Sequence, residues 1–106
     1  MSREAFKNEL AALVHVLIPT IGDEYRASDD PEDETPGMQL TIGVDSRGWG
    51  WQTGDNSFTG GAYGYAHWGV GSLYRDSDPA DVAEEILSDL ESVACDDEAK
   101  FFYEED

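Results

Sequence analysis

The stretch from Gly48 to Tyr74, GWGWQTGDNSFTGGAYGYAHWGVGSLY, constrains this chain most. Glycines and aromatics alternate through it, and Asp55 is its only carboxylate. A helix would be destabilised by so many glycines, whereas aromatics spaced by two suit a pleated surface. The centre of the chain is therefore expected to form sheet, with whatever is helical lying to either side.

The flanks meet that expectation. Before the centre, Phe6, Leu10, Leu13, Val14 and Leu17 recur at helical spacing. Ser2 is placed to cap that helix, and Pro19 and Gly22 end it. Next, Met38, Leu40, Ile42 and Val44 alternate with Gln39, Thr41, Gly43 and Asp45, the pattern of a half-buried strand. Ser46, Arg47 and Gly48 read as a hairpin turn into a second, antiparallel strand carrying Trp49, Trp51 and Thr53 on one face. The segment Gly54 to Gly64 reads as a long turn.

A third strand is expected from about Tyr65 to Tyr74. One of its sides holds Trp68, Val70, Ser72 and Tyr74, the other Tyr65, His67, Gly69, Gly71 and Leu73. The glycine side leaves little to pack, which predicts a close backbone approach or a bend. Asp78 followed by Pro79 is a helix start, with Asp81 in the first turn and Val82, Ile86, Leu90 and Val93 as its apolar stripe. The fold class expected is α+β, αβββα, a three-stranded antiparallel sheet with both helices on one face. With 106 residues the chain closes one core, so residues 1–106 form a single domain with an acidic loop at 22–37 and an acidic tail at 95–106.

Charge is what sets this composition apart. Twenty-four Asp and Glu face six Lys and Arg, for a net −18. Residues 1–22 and 38–75 each balance two acids with two bases. Residues 23–37 hold seven acids against Arg26, and residues 76–106 hold thirteen against Lys100. Such a surface repels nucleic acid and anionic membrane, so direct binding to either is not expected. Its natural partners are basic, for example a nucleic-acid-binding protein or complex. In the second helix, Asp78, Asp81, Glu84, Glu85, Asp89 and Glu91 fall within fourteen residues. That spacing is one carboxylate per ~3.5 Å of helix, close to the ~3.4 Å between phosphates on one DNA strand. With Asp29, Asp30, Glu32, Asp33 and Glu34 of the loop, these are the candidate partner-binding residues.

No catalytic constellation emerges. His67 with Asp55 lacks a placed nucleophile, the Asp-rich runs lack the glycine and final Glu of a calcium loop, and the glycines near 60 are not followed by a phosphate-loop lysine. A non-enzymatic protein with no cofactor and no metal is expected. One cysteine, Cys95, excludes an intrachain disulfide and fits a reducing cytoplasm, and the apolar run Ala11 to Ile18 is too short to span a bilayer. The oligomeric state stays open. The aromatics Trp49, Trp51, Tyr63 and Tyr65 form a second candidate surface, either packed into the sheet or open to a protein or flat ligand.

The helix–strands–helix order resembles double-stranded RNA-binding domains in topology, but those use basic loops and a basic second helix, so RNA binding is not implied. The block WQTGDNSFTGGAYGYAHWGVGSLYRDSDPADVAEEI, Trp51 to Ile86, resembles a motif of short bacterial and phage-borne proteins to which no activity is attached. Size, acidity and layout are also similar to the acidic phage inhibitors of CRISPR and restriction systems that act as DNA mimics. That similarity implies an inhibitor whose carboxylates stand in for phosphates and block a DNA- or RNA-binding complex. A small binding module using an aromatic sheet face, or a salt-adapted acidic domain, are the competing expectations.

Overall fold

A computed structural model describes residues 2–28, 30–45, 47–54, 65 and 67–93. Helix α1 spans Arg3–Leu17 and buries Phe6, Leu10, Val14 and Leu17 along one stripe. Ser2 caps it, its Oγ accepting from the Ala5 N–H at 3.1 Å. Pro19 does not continue the helix, and the chain leaves through one 3-10 turn, Ile18–Thr20. There the Thr20 hydroxyl donates to the Leu17 carbonyl at 2.6 Å, satisfying an acceptor the helix end leaves unpaired.

The strands are β1 (Gly37–Asp45), β2 (Gly48–Gly54) and β3 (His67–Tyr74), all antiparallel, in the order β2-β1-β3. Strand β1 therefore runs through the middle. That position explains why Thr41 and Gly43, its more polar side, are buried along with Met38, Leu40, Ile42 and Val44. The ladder between β1 and β2 ends on the pair Asp45↔Gly48. Gly48 has φ +153°, which side-chain-bearing residues rarely adopt. The Asp45 carboxylate holds the turn by accepting from the Arg47 backbone N–H at 2.8 Å and its guanidinium Nε at 2.9 Å.

Helix α2, Pro79–Val93, starts at the expected Asp78, whose Oδ1 accepts from the Ala80 N–H at 3.0 Å. Its buried residues are Val82, Ala83, Ile86, Leu87 and Leu90. The glycine side of β3 faces this helix at close range. A Cβ at Gly69 would lie 2.9 Å from the Ile86 carbonyl oxygen, and one at Gly71 would lie 2.7 Å from Ile86 Cγ1. Of the two expectations for those glycines, close approach is the one realised.

Both helices stand on one face of the sheet, and their buried stripes form a single core with Met38, Leu40, Ile42, Val44 and Leu73. Phe6 of α1 meets Trp49 of β2 edge to face, ring centroids 5.4 Å apart. Arg3, at the start of α1, reaches Glu84 and Glu91 of α2. The helices thus run in opposite directions, with the end of α1 and the start of α2 at the same end of the sheet.

Candidate functional site

The register sets where the acids collect. Gly37, which opens β1, pairs with Tyr74, which closes β3, and α2 begins five residues later. The loop 22–36 and the acids Asp76, Asp78 and Asp81 therefore share one end of the sheet. The described residues of the loop are tied to the body of the fold. Arg26 and Pro36 form a β-bridge, the Gly37 N–H donates to the Tyr25 carbonyl at 3.0 Å, and Arg75 donates to the Ile21 carbonyl at 3.0 Å and to Asp23 Oδ1 at 2.5 Å.

Two side-chain-to-backbone turns shape the loop's tip. Asp30 Oδ1 accepts from the Glu32 N–H at 2.9 Å, and Asp33 Oδ1 accepts from the Thr35 N–H at 3.0 Å. The Thr35 backbone bond holds the Asp33 carboxyl below the ordinary aspartate range. Asp30, Glu32 and Glu34 are exposed. Asp29 lies outside the described residues, as do Cys95 and the tail.

The six carboxylates of α2 divide by the face they occupy. Glu84 accepts from Arg3 Nη2 at 2.8 Å and from Lys7 Nζ at 3.3 Å; Glu91 accepts from Arg3 Nε at 2.6 Å. The bond from Arg3, followed by that from Lys7, lowers the Glu84 pKa below its ordinary 4.5. Glu91, then Glu84, raises that of Arg3. Asp89, on the other flank of the helix, accepts the Val70 backbone N–H at 2.9 Å. Asp78 is the cap. Asp81 and Glu85 remain, four apart on the solvent face, exposed and with no hydrogen bond or ion pair among the described residues. The phosphate-like spacing read along the sequence is therefore not a row of six outward charges.

The cations show what segment counting missed. Arg3 and Lys7, which balance Glu4 and Glu9 on paper, in fact neutralise α2. Arg47 pairs with Asp45, Arg75 with Asp23, and Arg26 donates to the Asp23 and Tyr25 carbonyls at 2.7 and 2.8 Å. Every Arg and Lys among the described residues is thus engaged within the molecule. A signal for the helix–helix pairs existed: Arg3 and Lys7 are four apart on α1, and Glu84 and Glu91 seven apart on α2, both spacings that keep one face.

The aromatic residues do not form one surface. Trp49 and Trp51 point to the helix side, where Trp49 packs under α1 and Trp51, on the outer strand, stays 48% exposed. Trp68 and Val70 are exposed on the opposite face. Tyr65 does not continue the glycine side of β3. Its ring edge comes within 2.9 Å of where a Cβ on Gly50 would sit, on the face away from the helices. Tyr63 lies outside the described residues. Among the described residues no group of three His, Cys, Asp or Glu is placed to hold a metal, and no helix is long and apolar enough to cross a membrane. Compared with protein-family models, curated proteins and solved structures, the chain matches none.

Proposed function

We propose that this protein is a non-enzymatic acidic inhibitor that seats its carboxylate-rich end in the phosphate-binding groove of a basic, nucleic-acid-handling protein or complex. CRISPR effectors and restriction enzymes are the partner class that its size and acidity suggest. The observation that carries this reading is the internal use of every described cation. What a partner meets at that end is Asp30, Glu32, Glu34 and Asp81, with Glu85 one turn further along α2, while the described cations of that end, Arg26 and Arg75, are held against the loop itself. Carboxylates held by a braced loop and a capped helix are preorganised, which lowers the entropy lost on docking. Glu84, Glu91 and Asp89 belong to the scaffold in this reading.

The test is displacement of labelled duplex DNA or guide RNA from a panel of such complexes. Displacement should weaken steeply between about 50 and about 200 mM salt, as contacts to phosphate sites do. Reversing Asp81, Glu85, Glu32 and Glu34 to Lys should abolish it and leave the fold intact. Undiminished displacement by that variant, or none by the wild type across the panel, would sink the proposal.

A further inference from the structure

The two edges of the sheet are treated differently. On β3, the Val70 N–H is taken up by Asp89 at 2.9 Å and the Tyr74 N–H by the Ser77 hydroxyl at 2.9 Å. Both groups point away from β1, so Val70 sits in a non-bonded pair with Thr41. By the alternation of an antiparallel ladder, Thr41 then bonds to Gln52, and Gly43 to Gly50. Trp49, Trp51 and Thr53 must consequently turn their N–H and C=O groups outward, along the far edge of β2. Among the described residues no side chain takes up any of these groups. The strand also lacks the usual edge guards, having no charge and no proline between Gly48 and Gly54.

We propose that the β2 edge is the contact surface for a second copy of this chain, paired antiparallel about a two-fold axis at Trp51. Three features of the strand select a second copy over another partner. The outward-bonding residues 49, 51 and 53 are centred on 51, so a two-fold placed there pairs 51 with 51 and 49 with 53, and six backbone hydrogen bonds close without a register offset. Trp51, 48% exposed at that centre, meets its own copy across the axis. Charge agrees as well. The strand is neutral in a chain of net −18, and antiparallel pairing sends the two acidic ends to opposite extremes of the six-stranded sheet. A copy is thus accepted at the one edge where repulsion between copies is least.

Sedimentation equilibrium of the full chain from micromolar to millimolar concentration tests this. The expected species is a dimer of twice 11.7 kDa that tightens as salt rises, because screening relieves repulsion between like-charged copies. That trend is opposite in sign to the salt dependence of docking on a basic groove, so each reading fails separately. Thr53→Pro removes an N–H that faces outward and leaves the chain's own ladder whole. It deletes two of the six bonds and should raise the dimer dissociation constant about ten- to a hundredfold. Trp51→Lys should act in the same direction while keeping every backbone group. A monomer over the whole range at high salt, or a dimer whose dissociation constant neither variant changes, would overturn the proposal.

Discussion

Replacing Gly69 with Ala tests the close approach of β3 to the main chain of α2. The added Cβ would stand 2.9 Å from the Ile86 carbonyl oxygen and 3.1 Å from the Leu90 backbone N. Both are main-chain atoms of α2, so no rotamer change relieves the clash. The helix must retreat by about 0.5 Å to reach ordinary contact, and overpacking of this kind costs about 1–3 kcal/mol. Alanine also restricts the unfolded chain, which returns about 0.4–1 kcal/mol. The net destabilisation is about 1–2 kcal/mol, lowering Tm by about 5–15 °C for a domain of this size.

Gly71 supplies the internal control. Its added Cβ would meet Ile86 Cγ1 at 2.7 Å, Ile86 Cδ1 at 3.1 Å and Val82 Cγ1 at 3.2 Å, all side-chain atoms. Ile86→Ala removes the first two. Gly71→Ala and Ile86→Ala should therefore be sub-additive by about 1–2 kcal/mol, whereas Gly69→Ala and Ile86→Ala should add to within about 0.5 kcal/mol. Urea denaturation followed by far-ultraviolet circular dichroism measures all six proteins, wild type included. Equal coupling at the two glycines, or a Gly69→Ala protein as stable as wild type, would refute the backbone-contact account.

Three further outcomes follow from the contacts described. Asp89→Ala should expose the Val70 amide, speeding its hydrogen exchange toward that of Trp68 and Ser72 and costing about 1 kcal/mol; unchanged Val70 exchange would place its partner elsewhere. Glu84 has a folded-state pKa below its ordinary 4.5, so its contribution is complete above that value and is lost as pH falls through the lowered one. In Glu84→Gln the acid limb of the stability profile should accordingly be shallower, and an identical limb would remove Glu84 from the account. Added sodium chloride should raise Tm, because screening relieves the self-repulsion of a −18 chain more than it weakens the exposed Arg3 pairs; a falling Tm would show the pairs to dominate.

What was legible in the sequence is what is decided locally. Asp78 and Pro79 announce the start of α2 because a cap acts within one turn, and the period-two pattern of Met38 to Val44 marks a strand because it is written in neighbouring residues. The glycines of β3 announced that something comes close, and Ile86 and Leu90 answer to that. Strand order was not legible, since nothing local to β3 says whether it joins β2 or crosses to the far side of β1. The acidic surface was read least well. Arg3 reaches partners 81 and 88 residues away, and Asp89 serves a strand 19 residues back, so a count by segment assigns these charges to the wrong neighbours.

The internal pairing of the cations has a consequence for motion as well as for contact. Among the described residues the acids gather where β1 opens and β3 closes, and the Asp45–Arg47 turn is balanced at the opposite end, so this part of the chain carries an electric dipole along its strands. In the field of a positively charged surface that dipole exerts a torque before any atoms touch. Rotational diffusion is biased so that the acidic end arrives first, and fewer encounters are lost to wrong orientations. Electrostatic steering of this kind raises association rates by about 10- to 1,000-fold, and it fades with ionic strength sooner than the short-range contacts do.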